Sequence, residues 1–282
     1  MVRPVLSAVL LAVLLGGCSA RPGYEPPTLW TPAAWRSAAV AGSGITMDPV
    51  AAEWWLVFND PVLSGLMRRA VGSAGVRAAL ARIVPDRPPR PQDVEARRAA
   101  LVQARLEAGQ GYMRLRGIQT RLRLQRSPDA AALELAEALQ INAIGLSLGL
   151  PPGALDAELR PRAPVPPAPS RVSAGLPSEL ARRRPDIRLA ELALQAAGSD
   201  DSRIAATAYQ DVVLRAFMQV DDAMLTYAAA LRRKDALARR PSTALELAER
   251  DAAVSASFMA LLAALGAGWE APVAPSPGRG PG

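Results

Sequence analysis

Val213, Phe217, Val220, Met224, Tyr227 and Leu231 recur at alternating spacings of four and three residues. Only a helix brings such positions onto one side. A seam of this period, held for nearly three heptads, is buried when a second helix lies along it. After Pro241 the rhythm returns with smaller side chains, at Leu245, Ala248, Ala252, Ser255, Met259 and Leu262. Small residues on a seam let helix axes approach closely. Two such runs joined through a Pro-containing turn predict an antiparallel helical pair. Composition agrees. Ala, Leu and Arg, the cheapest residues to place in a helix, dominate a 282-residue chain with only five Trp, four Tyr and three Phe.

The same logic runs backwards along the chain. Asn59-Asp60-Pro61 opens a helix, with Asp60 placed to cap the free amides and Pro61 suited to the first helical position. Val62, Leu66 and Ala70 then share a face, and the Pro-rich stretch 84–91 ends the helix. A helical pattern resumes over 92–126, where Leu115, Ile118 and Leu122 share a face. Gly109 and Gly111 are expected to weaken its middle by about 1 kcal/mol each relative to Ala. After Ser127-Pro128-Asp129 a further helix runs to about Gly149. Leu135, Leu139, Asn142 and Leu146 lie on one of its faces, and Ile141, Ile144 and Leu148 on an adjoining one. So broad an apolar surface calls for burial on more than one side. Residues 161–177 read as a Pro-rich linker. Leu176-Pro177-Ser178 and then Pro185-Asp186 each start another helix in a cap geometry. Ile141–Gly149 and Phe258–Gly266 both close a long helical stretch with an apolar run and a Gly, a weak internal repeat.

The N-terminus is of another kind. Arg3 precedes an apolar stretch, Val5 to Leu15, of signal-peptide length and too short to span a bilayer. Leu15-Gly16-Gly17-Cys18 resembles the bacterial lipobox, in which the peptide before the Cys is removed and the Cys is acylated. Cys18 is the only cysteine of the chain, and it stands where that motif needs it. The bland alternative is an ordinary secretory signal with a chance cysteine. Ser19, where inner-membrane lipoproteins carry Asp, points to the outer membrane, and several acyl chains on one Cys anchor stably. Removing residues 1–17 takes one charge, Arg3, from a net +7 and leaves +6. The Pro-rich start at Arg21 is expected to form an extended arm. The aromatic run Trp54-Trp55-Leu56-Val57-Phe58 reads as a patch packed on the helical body in preference to a membrane-interface anchor.

Several function classes are disfavoured. With no His and one Cys there is no imidazole base, no His metal ligand, no internal disulfide and no thiolate cluster. Asp200-Asp201 and Asp221-Asp222 are adjacent pairs, which do not face each other on a helix and read as solvated. Arg182-Arg183-Arg184 reads as a solvated or carbonyl-capping cluster and not as a phosphate site. The Arg residues are spread among acids with no reader motif, so no nucleic-acid partner is expected. Neither a catalytic residue, a metal nor a cofactor is expected.

Trp54-Trp55 with Phe58-Asn59-Asp60-Pro61-Val62-Leu63 resembles the start of the helical body in TolC/NodT-type outer-membrane factors. Leu148-Gly149-Leu150-Pro151-Pro152-Gly153-Ala154-Leu155 resembles the close of their first repeat. Gly175-Leu176-Pro177-Ser178-Glu179-Leu180-Ala181-Arg182-Arg183-Arg184-Pro185-Asp186-Ile187-Arg188 looks like their signature between repeats. Val220-Asp221-Asp222-Ala223 and Leu265-Gly266-Ala267-Gly268-Trp269 resemble their closing helices. The resemblance implies a homotrimer, four barrel strands per protomer, a periplasmic helical tunnel, and passive export of drugs or other small molecules without catalysis. It also implies a periplasmic adaptor and an inner-membrane transporter, often of the resistance-nodulation-division class, as partners.

The chain departs from that pattern. Membrane strands need roughly 9–11 residues of alternating polarity, and none stand near 83–92 or 198–204, where the family would place them. The expected fold is therefore mainly α, with long antiparallel helices in coiled-coil-like hairpins, two weak repeats and the barrel strands missing. The expected layout is a signal peptide over 1–17, an extended arm over 18–58 and a first helical repeat over 59–160. A linker over 161–176, a second repeat over 177–271 and a disordered tail over 272–282 complete it. The expected location is the outer membrane, facing the periplasm, anchored to lipid through acylated Cys18. A helical lipoprotein that does not conduct and only binds partner proteins in the periplasm is the other reading.

Overall fold

Proline and short polar caps divide the chain into nine helices among the residues that the computed structural model describes, 31–37, 44–83, 88–124, 130–198 and 201–268. Cys18, its lipobox and the C-terminal tail lie outside the described residues. A two-residue strand, β1 (Ile45–Thr46), and a 3₁₀ turn (Trp54–Phe58) lead into α1 (Pro61–Arg69). The expected cap is present: Asp60 accepts from the Val62 and Leu63 N–H groups, with Pro61 at the first position. The helix does not run on to residue 84. A 3₁₀ turn (Ala70–Gly72) breaks it, and Ser73, whose hydroxyl accepts from Val76 N–H, starts α2 (Ala74–Leu80).

Next come α3 (Pro91–Leu124), α4 (Ala130–Ser147) and a single turn, α5 (Asp156–Leu159). Strand β2 (Val172–Ser173) precedes α6 (Pro177–Arg183) and α7 (Pro185–Ala196). Asp186 is not the cap of α7. Arg184 holds that position, and Asp186 sits inside the first turn. Last come α8 (Ser202–Ala238) and α9 (Ala244–Ala264). Thr243 and Glu246 form a reciprocal capping box at the start of α9, which turns the chain just after Pro241.

The long helices pack in series, α8 on α9, α9 on α3 and α3 on α4, with α7 spanning α8 and α3. The heptad seam of α8 is the one read from sequence: Val213, Phe217, Val220, Met224 and Tyr227 are buried. In each hairpin the first helix is the longer, 34 residues against 18 and 37 against 21, an excess of 16 in both. At 1.5 Å per residue each overhang is about 24 Å. Helices α1 and α2 cover the overhang of α3, and α7 covers that of α8. The chain is thus two copies of one plan, α1–α4 and α6–α9.

The helix ends match as well. Gly149 and Gly266 both adopt left-handed backbone, φ +71° and +67°. After the first, Leu150 N–H donates to Gly145 O and Gly149 N–H to Leu146 O. After the second, Ala267 N–H donates to Leu262 O and Gly266 N–H to Ala263 O. Both are Schellman caps with the same bonds.

Residues 161–177 are an ordered strap and not a free linker. β2 pairs in parallel with β1, Ile45 opposite Val172 and Thr46 opposite Ser173. Tyr227 Oη donates to Pro169 O at 2.5 Å and Ser255 Oγ to Pro166 O at 2.8 Å. Prolines leave carbonyls without competing N–H groups, and the helices supply the donors. Among the described residues these two short strands are the only ones, and no closed barrel forms. No described helix is long and apolar enough to cross a membrane.

Candidate functional site

What the hairpins hold, and what they leave open, follows from where each face of each helix goes. Trp54, Trp55 and Phe58 are buried on the body as the packed patch expected from sequence. Their rings meet edge to face, and Phe58 lies 5.5 Å from Phe258 of α9, which lies 5.8 Å from Tyr227 of α8. Such pairs contribute about 0.5–1.5 kcal/mol each beyond their buried area. The N-terminal arm is tied down as well. Trp35 is buried against Phe217 and donates from Nε1 to Gly175 O at 2.8 Å. The Ser37 N–H donates to Asp221 Oδ1 at 3.1 Å, so Asp221 is engaged by the arm while Asp222 stays exposed.

Gly109 and Gly111 are not mere weak points of α3. A Cβ on Gly109 would lie 2.7 Å from the Trp54 indole and 2.8 Å from Met259, and one on Gly111 would lie 2.9 Å from Ile144. The glycines let α9 and α4 approach α3 from two sides, which a helix propensity cannot register.

Two polar clusters lock the repeats. On α3 and α4, Gln119 Nε2 donates to Glu137 Oε1 and Leu159 O, while Arg116 donates to Gln119 Oε1 and Pro161 O. At the junction of α6 and α7, Arg184 donates to Ala264 O at the end of α9, to Gln219 of α8 and to both oxygens of Asp186. Burial pushes Asp186 up, but the Arg184 guanidinium and the Ile187 and Asp186 backbone N–H groups together outweigh it and hold the carboxyl below its usual range. Arg183 donates to Ala174 O. Its Nε and Nη1 have no hydrogen-bond partner, and burial pushes its guanidinium down. The arginine run therefore caps carbonyls, as expected, and Arg184 joins three helices, which its sequence position did not reveal. Gly266 packs on Arg183 and Arg184, just as Gly149 packs on Gly72 between α1 and α2.

The outward faces carry the remaining features. Between α3 and α9 lies an apolar groove of about 500 Å³, walled by Met113, Ile118, Ala252, Ala256 and Met259 and rimmed by the Arg121–Glu249 pair. Ile141 and Ile144 of α4 and Leu148 just after it are buried, whereas Leu135, Leu139 and Leu146 are exposed, Leu146 by 76%. On α8, Leu214, Met218 and Leu225 are exposed too. Among the described residues no group of three or more carboxylates and cysteines could hold a metal ion.

Compared with solved structures, this chain matches the outer-membrane channel OprN at a TM-score of 0.68, with 17% identity, covering 88% of this chain and 99% of that one. A membrane protein from Pseudomonas aeruginosa matches at 0.61, with 15% identity, over 88% of this chain and 100% of that one. The chain has the fold of TolC/NodT-type outer-membrane factors. In sequence, 73 residues are 33% identical to Nodulation protein T of Rhizobium leguminosarum bv. trifolii, a stretch that is 26% of this chain and 15% of that relative. No protein-family model matches the sequence. As an outer-membrane-factor fold the chain is mainly α and shortened. Of these two solved structures one is an outer-membrane channel and the other a membrane protein.

Proposed function

We propose that this protein is an outer-membrane lipoprotein subunit of a tripartite efflux system, related to the component through which drugs or other small molecules leave the cell. The observation that carries this reading is the superposition of 88% of the chain on the outer-membrane channel OprN. In this reading acylated Cys18 anchors the chain to the outer membrane facing the periplasm. Three copies assemble, and a periplasmic adaptor and an inner-membrane transporter are its partners. The two-repeat layout supports it: each repeat offers one long hairpin, the unit from which a helical tunnel is built. No enzymatic step is assigned to the chain.

A second reading is favoured by one specific observation. The only strands among the described residues are two residues long, far short of a membrane-spanning strand. An open sheet edge cannot sit in lipid, so a barrel either closes or is absent. In this reading the protein is a helical lipoprotein that binds partner proteins in the periplasm and does not conduct. Ion conductance of the purified lipidated protein across a planar bilayer separates the two. Reproducible unitary steps support the channel subunit. Silence from protein with a helical circular dichroism spectrum refutes conduction and supports the partner-binding lipoprotein.

A further inference from the structure

Helices α3 and α9 run antiparallel: Arg121 pairs with Glu249 at 3.0 Å, Ala252 lies over Gly117, and the Met259 methyl reaches Gly109. One side of this pair is covered by the strap, where Arg116 of α3 bonds Pro161 O and Ser255 of α9 bonds Pro166 O. Positions 110, 114, 117 and 121 of α3 share the other side, at helical spacings of three and four. There the groove of about 500 Å³ opens.

Its walls are apolar and its polar groups stand at the two ends. From Ala256 to Leu245 the groove follows α9 over about 16 Å of helix. At the Leu245 end, Arg121 and Glu249 satisfy each other. At the opposite end stand Gln110 and Arg114 of α3 and Gln140 of α4. The Arg114 guanidinium has only a neutral partner. Its Nε donates to the Gln140 amide oxygen at 3.4 Å, a long bond, and among the described residues no carboxylate pairs with it. The three charged side chains that line the groove, Arg114, Arg121 and Glu249, therefore leave one positive charge, and it lies at the Gln110 end. An apolar trough with one uncompensated cation at its end is complementary to an apolar tail with one anion at its head.

We propose that this groove binds a free single-chain amphiphile with an anionic head. The head sits on Arg114, with the Gln110 and Gln140 amides as further donors, and the tail lies along Ala256 and Ala252 toward Leu245. A guanidinium offers an oxyanion two parallel N–H bonds, about twice as strong as those to a neutral head. Spread over that length, the volume gives a mean cross-section of about 30 Å², room for one extended chain and not for the two tails of a membrane phospholipid. The site lies within one copy and needs neither a pore nor a neighbour, so it goes beyond both readings of the function.

The test is photo-labelling of the full lipidated chain in phosphatidylcholine vesicles with a dodecane sulfonate that carries a diazirine at its far end. Mass spectrometry should place the label on α9 between Leu245 and Ala252. The alcohol of the same chain enters the bilayer at least as readily but carries no charge, and should label that stretch about tenfold less, the worth of one charge-assisted hydrogen bond. Arg114 is exposed, so Arg114→Gln should leave the helical spectrum unchanged. It should bring the sulfonate down to the level of the alcohol and leave labelling by the alcohol as it was, a split that a general loss of structure would not produce. Equal labelling by sulfonate and alcohol, or an Arg114→Gln chain labelled like the parent, overturns the proposal. So does loss of the label when phosphatidylglycerol is mixed into the vesicles, which would assign the groove to a membrane lipid. A chain that takes the label and never conducts refutes the channel reading alone, whereas a conducting chain without the label refutes this inference alone.

Discussion

Replacing a helical glycine by alanine should have opposite signs at two positions eight residues apart on α3. In an open helix interior, Gly→Ala stabilises by about 1 kcal/mol, since Gly loses the most backbone entropy on folding. Gly117 is such a site: the nearest atom to a new Cβ is Ala252 Cβ at 4.0 Å. Gly117→Ala should therefore gain most of that value. At Gly109 the new Cβ would sit 2.7 Å from Trp54 Cη2 and 2.8 Å from Met259 Cε. The methionine end can swing away. The indole cannot, because Trp54 is 1% exposed and packed edge-on against Trp55 and Phe58. Overpacking of this kind costs about 1–3 kcal/mol, which exceeds the propensity gain, so Gly109→Ala should lose roughly 0–2 kcal/mol net. The assay is thermal unfolding followed by circular dichroism, at one protein concentration because assembly shifts the midpoint. At about 2–4 °C per kcal/mol, Gly117→Ala should melt higher than the parent chain and Gly109→Ala lower. Equal stabilisation by both would show that α9 does not pack on α3 through Gly109, and the α3–α9 interface described above would be wrong.

Arg184→Ala should destabilise by about 1.5–3 kcal/mol, the range for a hydrogen-bonded charged group, because Ala264 O, Gln219 and Asp186 all lose their donor; a denaturant midpoint within error of the parent would remove Arg184 as the joint of α7, α8 and α9. Burial pushes the Tyr227 phenol up to about 12, and burial with the bond to Asp60 also raises Tyr112. Both folded values lie above the unfolded one near 10, so stability should be full below pH 10 and decline as pH climbs toward 12. Phenolate absorbance should show two late-titrating tyrosines in the folded chain and none after denaturation. Cys18→Ser should release the protein from membranes and remove the acyl mass from its N-terminus; a membrane-bound, unmodified variant would disprove anchoring through Cys18.

Periodicity carried much of the fold because a heptad is a local property that every compact arrangement must respect. The α8 seam from Val213 to Tyr227, the Asp60-Pro61 start and the Pro177 and Pro185 helix starts were legible for that reason. So was the internal repeat, from an apolar run ending in Gly, although only hydrogen bonds show Gly149 and Gly266 to be the same cap. The break at Ser73 was not legible, since a serine without a Glu three residues on makes a weak start signal. The strap over 161–177 was not legible either, because its partners, Ser255, Tyr227 and Gly44, are distant in sequence. The outward groove beside Met113 and Met259 escaped for the same reason.

Sequence alone determined that this chain is built of helices with two-sided apolar surfaces, because side-chain spacing along one strand of polypeptide sets which residues share a face. It also placed the tryptophan patch on the body and read the arginine run as solvated or carbonyl-capping, a choice that the bonds of Arg183 and Arg184 to Ala174 O and Ala264 O decided. Which of two apolar faces is spent inside the chain was decided only in three dimensions. Ile141, Ile144 and Leu148 are buried while Leu135, Leu139 and Leu146 are exposed, yet both sets are aliphatic and fall at helical spacings. The choice depends on where α3 lies, and α4 lies close to it because Gly111 leaves room for Ile144. Close packing is a relation between surfaces far apart in sequence, and no local pattern contains it.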